Sequence, residues 1–115
     1  MVGLGSTHRY YVYQGEVDMR KSFDGLQGLV VNELGRTGLE GEVYVFFNRR
    51  RTQVKLLVWD RSGFVIYYKR LERGSFERYQ DTRSGYVSLS WSELQMILEG
   101  IVLRSIQRRV RYERA

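Results

Sequence analysis

The sequence has no cysteine and no proline among its 115 residues, and its only histidine is His8. Without cysteine the chain can form no disulfide, no thiolate nucleophile and no cysteine-ligated zinc site, which suits a cytoplasmic location. Because the single histidine lies near one end of the chain, we expect neither a histidine-based catalytic triad nor a multi-histidine metal site. The composition thus disfavours several enzyme classes, and it implies no cofactor.

Long hydrophobic runs are also missing. No apolar stretch approaches the roughly 20 residues that a membrane-spanning helix needs, and the N-terminus lacks the pattern of a signal peptide. Hydrophobic residues nevertheless make up 43% of the chain and aromatic residues 14%, which is typical of a packed core rather than of a disordered chain. We predict a single domain over residues 1–115, with residues 1–8 and 107–115 as candidate flexible ends.

Lysine is scarce although the chain is basic. Arginine and lysine together number 19 against 13 acidic residues, for a formal charge of +6. Only Lys21, Lys55 and Lys69 are lysines. The arginine guanidinium is a planar set of donors that suits phosphate and stacks on aromatic rings. This excess indicates an anionic partner, of which nucleic acid is the commonest, and the alternative is an ordinary solvated surface.

Two segments have helical periodicity. The first has apolar residues at helical spacing, with Asp18 as the expected N-cap and Gly35 as the stop. In the second, Ser90 and Glu93 form a capping-box pattern, and Gly100 ends the helix. The apolar positions are Phe23, Leu26, Leu29, Val30 and Leu34 in the first helix, and Trp91, Leu94, Ile97 and Leu98 in the second.

Strand patterns occupy much of the remaining chain. Residues 8–15 predict one strand, and residues 43–47, 54–59 and 64–68 predict an antiparallel meander joined by two hairpins. Residues 71–85 are interpreted as a polar loop. The tail from Ile101 could be a strand, a helix or an arm, and a strand that ends in a flexible arm is favoured. The predicted fold class is α+β, with an antiparallel β-meander of about four to five strands packed with two amphipathic helices.

The expected register pairs Phe47 with Gln53 and Trp59 with Phe64. In this register both faces of the meander are apolar, whereas a half-solvated sheet would alternate with polar residues. The sheet must therefore be covered on both sides. We expect the helices to cover one face and a second copy of the chain to cover the other, giving a homodimer. A partly closed barrel is the alternative.

The basic residues that we predict to bind nucleic acid fall into three groups. One forms the tip of the first hairpin, with Lys55 close by, the second follows the third meander strand, and the third lies in the tail. The first two groups should converge, since the third strand ends near that tip, and such a ridge can bind backbone phosphates. The predicted residues are Arg49, Arg50, Arg51, Lys55, Lys69, Arg70, Arg73, Arg108, Arg109 and Arg111.

Two other kinds of chemistry were weighed. Five carboxylates could serve a two-metal nuclease, namely Glu16, Asp18, Asp24, Asp60 and Glu72. Their spacing matches no metal motif, and Asp18 and Asp60 are explained as a helix cap and a turn residue. Six tyrosines could stack on bases, namely Tyr10, Tyr11, Tyr13, Tyr44, Tyr67 and Tyr68, although core or interface packing explains most of them.

The segments DMRKSFDGL (18–26), VFFNRRRTQVKLLVWDRSGF (45–64) and YYKRLERGSF (67–76) resemble the second-open-reading-frame, or transposase B-type, accessory proteins of the insertion sequence sixty-six family. The resemblance covers about residues 17–103. It implies a small protein encoded beside a separate transposase and needed for the element to move, without catalytic residues of its own. The chain departs from the family at Arg51, where a small residue such as glycine is more usual.

The sequence therefore predicts a non-enzymatic accessory protein of a bacterial insertion sequence that binds DNA through an arginine-rich hairpin ridge. Its expected partners are DNA, the transposase of the same element and a second copy of the chain. No membrane association is expected. The alternative is an adaptor that docks on the transposase through protein surfaces without contacting DNA. A small nuclease is the third possibility considered.

Overall fold

The computed structural model describes residues 4–36, 41–78 and 85–99. Its elements are β1 (Arg9–Tyr13), α1 (Phe23–Asn32), β2 (Glu42–Phe47), β3 (Gln53–Asp60), β4 (Gly63–Arg70), β5 (Tyr86–Leu89) and α2 (Trp91–Leu98). The five strands form one sheet in the order β4-β3-β2-β1-β5. The predicted α+β fold, with a mostly antiparallel sheet and two helices, is confirmed.

The strands pair antiparallel except for β1 and β2, which run parallel. The parallel pair follows from the chain order, because α1 lies between β1 and β2 and carries the chain back to the end of the sheet where β1 began. The meander of β2, β3 and β4 is confirmed. Because β1 and β5 extend it beyond β2, the described strands form an open sheet rather than the barrel considered as an alternative.

The predicted register is right for one hairpin and wrong for the other. Trp59 pairs with Phe64 as expected, but Phe47 pairs with Val54 rather than with Gln53. The loop sets this register, since the Asn48 side-chain Oδ1 accepts the backbone N–H groups of Thr52 and Gln53, each at 2.9 Å. A shift of one residue exchanges the faces of a strand. Each face of β2 therefore lies beside the set of alternate β3 residues that the expected register had placed on the other face.

Each face of the sheet is covered by one helix. Leu26, Val30 and Leu34 pack on one face, and Leu94 and Ile97 pack on the other. The expectation that both helices cover the same face is wrong, because the parallel crossover places α1 on one side and the return through β5 places α2 on the other. An uncovered face therefore no longer argues for a second copy of the chain, and the homodimer stays a prediction.

The helix ends agree in part with the sequence interpretation. Ser90 and Glu93 form the predicted capping box of α2, and Gly35 follows α1 with a φ of 64° that suits glycine. Asp18 is not the N-cap of α1, since Ser22 occupies that position. The Asp18 carboxylate instead binds Arg20 at 2.7 Å.

The strand β5 was not predicted. Its four residues are too few for a clear alternating pattern, although Val87 and Leu89 are buried beneath α2 and Ser88 is exposed. The strand forms by pairing with β1, a long-range contact that local sequence does not reveal. The predictions for Gly100, for the tail strand and for flexibility of residues 107–115 lie outside the described residues. The described helices have 10 and 8 residues, and neither is long and apolar enough to cross a bilayer.

Candidate nucleic-acid interface

The loop between β2 and β3 presents two arginines from a fixed backbone. The Asn48 carboxamide closes this loop by accepting two backbone N–H groups and by donating to the Thr52 hydroxyl at 3.0 Å. Arg49 and Arg50 lie exposed at the turn. Neither guanidinium has a hydrogen bond, ion pair or ring contact with another described residue. Both are therefore available to an anion from solution.

Arg51, the third arginine of the run, is held in the structure. Its guanidinium lies 3.8 Å from the centroid of the Phe47 ring, and its Nη2 donates to the Glu77 carbonyl at 2.7 Å. Burial, aided by the charge of Arg78, lowers the pKa of Arg51 to about 10. The sequence predicts all three arginines as nucleic-acid contacts at the hairpin tip, but the Arg51 guanidinium is engaged within the fold. Its φ of 61° lies in the left-handed region where glycine is favoured.

Lys55 is also committed to internal contacts. Its side chain is inside the fold, with the residue only 8% exposed. The ammonium donates to the carbonyls of Met19 and Lys21 at 2.7 and 2.8 Å and lies 4.9 Å from the centroid of the Tyr68 ring. Lys55 thus joins the segment before α1 to the centre of the sheet, and it offers a ligand little of its charge.

The second basic group converges on the same end of the sheet, as the meander predicts. Gln53, at the start of β3, pairs with Arg70, and its neighbour Val54 pairs with Lys69. Because successive strand residues point to opposite faces, Arg70 and Lys69 diverge. Lys69 donates to the Leu98 carbonyl of α2 at 2.9 Å, whereas Arg70 approaches the exposed Glu72 at 3.7 Å.

An open cleft of about 770 Å³ lies beside the arginine loop, on the face of the sheet that carries Tyr68. Its walls come from the loop, from the start of β3, from β4 and from the segment that precedes α1. The lining residues are Glu16, Val17, Asp18, Met19, Arg20, Asn48, Arg49, Arg50, Gln53 and Tyr68.

The charges in this cleft are mixed. Arg20 donates to Asp18 Oδ2 through Nε at 3.0 Å and Nη2 at 2.7 Å, and its Nε also reaches Asp18 Oδ1 at 3.2 Å. These bonds, with the Arg20 backbone N–H, lower the pKa of Asp18 to about 2. Asp18 and Arg20 therefore neutralise each other, and Arg49 and Arg50 leave the cleft with an excess of positive charge over Glu16.

Sequence reasoning missed several residues of this cleft. Asn48 opens the arginine turn, and asparagine at such a position is a signal for a side chain that bonds the following backbone. Arg20 lies two residues after Asp18, but an ion pair between them was not expected because Asp18 was interpreted as a helix cap. Tyr68 was considered only among many tyrosines, and no local signal separates it from the buried ones.

The structure does not gather the carboxylates weighed for a nuclease. Asp60 ends β3 at the opposite end of the sheet from Asp18 and Gln53, roughly 20 Å away at about 3.3 Å per strand residue. Among the described residues, no three histidine, cysteine or acidic side chains lie where they could hold a metal ion. The predicted phosphate-binding residues Arg108, Arg109 and Arg111 lie outside the described part of the chain.

The protein is thus a small α+β protein in which an arginine-bearing hairpin, closed by the Asn48 side chain, borders an open cleft. The chain belongs to the IS66 Orf2-like family, since residues 8–108 match the family model described as "IS66 Orf2 like protein". The resemblance noted in the sequence is thereby confirmed. The protein is an accessory protein associated with an insertion sequence.

Two curated proteins of Sinorhizobium fredii (strain NBRC 101917 / NGR234) are similar to this chain. One, described as "Uncharacterized protein y4hO", is 31% identical over 93% of this chain and 92% of its own length. The other, described as "Uncharacterized protein y4jC", is 28% identical over 95% of this chain and 92% of its own length. No solved structure matches the chain.

Proposed function

We propose that the protein is a non-enzymatic accessory factor required for transposition, and that it binds nucleic acid through a basic ridge. The ridge comprises Arg49, Arg50, Arg70 and Arg73. The observation that carries the proposal is the state of Arg49 and Arg50, which are exposed on a hydrogen-bonded turn and have no partner among the described residues. Guanidinium groups held in this way can bind phosphate with little loss of backbone freedom.

Arg51, Lys55 and Lys69 are left out of the proposed ridge. Each already donates to a backbone carbonyl, so a phosphate would have to displace that bond. The tail arginines Arg108, Arg109 and Arg111 remain predicted contributors that lie outside the described residues. The ridge as proposed reads no sequence by itself, because phosphate contacts position a protein without specifying bases.

The test is the salt dependence of DNA binding by the Arg49→Ser/Arg50→Ser double variant. If both arginines contact phosphates, affinity for element-end DNA and for unrelated DNA should fall by similar factors. The slope of log affinity against log salt should shrink by up to about 1.8, at roughly 0.9 for each lost contact. The variant should keep the wild-type free energy of unfolding within about 0.5 kcal/mol, since exposed turn side chains add little to the core.

Arg61 provides a matched control. It is an exposed arginine in the β3–β4 hairpin at the opposite end of the sheet. Arg61→Ser removes the same charge as Arg49→Ser or Arg50→Ser, but away from the proposed ridge. An unchanged slope in the folded double variant would contradict phosphate binding by the ridge. An equal change per lost arginine for Arg61→Ser would show that net charge rather than the ridge attracts DNA.

A transposase adaptor is the second candidate function, and one observation favours it. Phe23 and Val31 on α1 are 45% and 52% exposed, which leaves apolar surface on the outer side of that helix. This function predicts that Phe23→Ser/Val31→Ser abolishes pull-down of the transposase of the same element and leaves DNA binding unchanged. The arginine variant should do the reverse if the ridge carries the function.

A further inference from the structure

We infer that the cleft beside the arginine loop receives a base of a single-stranded nucleic acid, which stacks on Tyr68 while its phosphates lie on Arg49 and Arg50. This inference rests on the proposed function, because it assigns the ridge a ligand class. It adds a second recognition element with different chemistry, an aromatic platform within a polar cleft. The argument comes from the exposure, the support and the surroundings of that ring.

Tyr68 differs from the other aromatic residues of the meander in its exposure. Tyr44 and Phe46 are at most 1% exposed, whereas Tyr68 is 55% exposed. An isolated exposed aromatic residue is common on protein surfaces and implies nothing by itself. Tyr68, however, forms part of a concave wall that also contains Arg49 and Arg50. Single-strand binding sites combine two parts, namely basic residues that contact the backbone phosphates and an aromatic ring on which a base stacks.

The Tyr68 ring is supported from within the fold. Its cross-strand partner is Lys55, whose ammonium lies 4.9 Å from the ring centroid and is fixed by the carbonyls of Met19 and Lys21. A ring held in this way loses little conformational entropy when a base stacks on it. Lys55 therefore acts as a positioning residue for the platform rather than as a phosphate contact.

Polar groups in the cleft suit the edge of a base better than a phosphate. Gln53 lines the cleft, and its side-chain amide has no hydrogen bond to another described residue. Glu16 is exposed in the same wall, and a carboxylate repels phosphate but can accept from an amino or ring N–H group of a base. The phosphates thus belong at the arginine loop and the base belongs in the cleft.

This division of chemistry favours a single strand over a duplex. In a duplex the bases are paired and stacked inside the helix, so a ring in the wall of a cleft cannot reach a base face without extruding it. A single strand can turn a base away from its backbone at little cost and place it on an aromatic ring. DNA and RNA strands present the same base faces, and the experiment below includes both.

The experiment measures fluorescence anisotropy of labelled 15-nucleotide oligothymidylate, oligouridylate and a 15-base-pair duplex with the full chain. Wild type should bind at least one of the single strands more tightly than the duplex. Tyr68→Ser should weaken that binding by roughly 10-fold or more, from the loss of one stacked base, whereas Tyr68→Phe should retain it. The salt slope of Tyr68→Ser should equal that of wild type, because no phosphate contact is lost. Phe23→Ser, which alters an exposed ring outside the cleft, should behave as wild type.

The outcomes separate the inference from the proposed function. If Tyr68→Ser binds single strands as wild type does, or if Phe23→Ser weakens binding equally, the inference is overturned while the arginine ridge stands. Preference for the duplex would overturn it as well. Loss of stacking in Tyr68→Ser together with an unchanged salt slope in Arg49→Ser/Arg50→Ser would support the cleft and overturn the ridge. If no nucleic acid binds at all, both are wrong.

Discussion

The two ends of strand β2 show how differently this chain uses arginine. At the start of the strand, the carboxylate of Glu42 is 5% exposed and accepts a hydrogen bond from Arg36 Nη2 at 2.6 Å. Just beyond the end of the strand, Arg49 and Arg50 are exposed and have no partner among the described residues. At the start of the strand Arg36 is bound within the fold, whereas Arg49 and Arg50 beyond its end are available to a ligand.

The Glu42 end is a connected network. Tyr44 donates its hydroxyl to Glu42, Arg9 approaches the same carboxylate at 3.7 Å, and Arg36 lies 4.0 Å from the centroid of the Tyr11 ring. Burial alone would raise the pKa of Glu42, but the bonds from Arg36 and Tyr44 outweigh it and hold that pKa below the ordinary value. The carboxylate is therefore charged, and its partners are needed to keep it so.

The position of an arginine relative to an acceptor, rather than the number of arginines, decides its role. Both ends belong to one strand and both carry guanidinium groups. At one end the buried Glu42 carboxylate binds the Arg36 guanidinium and makes it part of the fold. Where no acceptor is present among the described residues, the charge remains available.

Replacing Glu42 with glutamine should destabilise the protein most. The substitution keeps the shape of the side chain but leaves the Arg36 guanidinium without its counter-charge, and breaking a buried pair in this way costs about 3–5 kcal/mol. Because the Arg36 side chain is 28% exposed, water recovers part of the loss, and we expect about 2–4 kcal/mol. Urea denaturation at neutral pH measures the change.

The control for that prediction is Glu72→Gln. Glu72 pairs with Arg70 at 3.7 Å, and both side chains are exposed to solvent, at 85% and 67%. Exposed pairs of this kind contribute little, so the free energy of unfolding should change by less than about 0.5 kcal/mol. Equal losses for the two variants would contradict the distinction between the two ends of the strand.

A smaller effect should separate the three consecutive arginines. Arg51→Ala removes the packing on Phe47 and the bond to the Glu77 carbonyl, and we expect a loss of about 1–2 kcal/mol. Arg49→Ala, with no such contacts, should stay within about 0.5 kcal/mol. Thermal or urea unfolding of the two variants gives the comparison.

Arg51→Gly sharpens this test. Alanine and glycine both remove the guanidinium, but glycine adopts the φ of 61° at this position without the strain of about 1 kcal/mol that a side chain brings. The glycine variant should therefore be more stable than the alanine variant. The opposite order would mean that the backbone conformation of the loop is not strained at this residue.

Arg51 also shows why part of this molecule could be predicted from the sequence and part could not. The periodicity of apolar residues gives the helices and the three meander strands, because it depends on local spacing alone. The fate of Arg51 depends on Glu77, 26 positions away, and that of Lys55 on carbonyls more than 30 positions away. A basic residue in a turn or strand looks exposed until such distant partners are known.

The register error has the same origin. The length of the β2–β3 loop allows more than one pairing, and the side chain of Asn48 selects one by binding the backbone of Thr52 and Gln53. The face of the sheet that α1 covers depends on the parallel pairing of β1 with β2. This pairing is a long-range contact that no local sequence pattern indicates. The convergence of the arginine loop with Arg70 was predictable, since any antiparallel meander brings alternate hairpin ends together.

The smallest predicted effect concerns Asp18 and Arg20, an arginine–carboxylate pair like that of Glu42 but located in solvent at the edge of the cleft. Bonds from Arg20 lower the pKa of Asp18 from 3.8 to about 2. A carboxylate with a lowered pKa in the folded state stabilises the protein above its unfolded pKa, and this contribution is lost as pH falls through the folded value. The stabilisation should therefore be present above about pH 4 and decline toward pH 2. It should be small and weakened by salt, since the Arg20 side chain is 92% exposed.

NMR titration of the Asp18 carboxyl group measures this directly. Arg20→Gln should return the pKa of Asp18 toward its ordinary value and remove the decline in stability between pH 4 and 2, while Arg61→Gln should leave both unchanged. If Asp18 titrates near 3.8 in the wild-type protein, the pair is not formed in solution. Arg20 would then be a third unpaired cation in the cleft, and the cleft would resemble the arginine loop rather than the Glu42 end. If the lowered pKa is observed, the same kind of pair occurs buried at one end of β2 and exposed near the other, and only the buried one contributes strongly to folding.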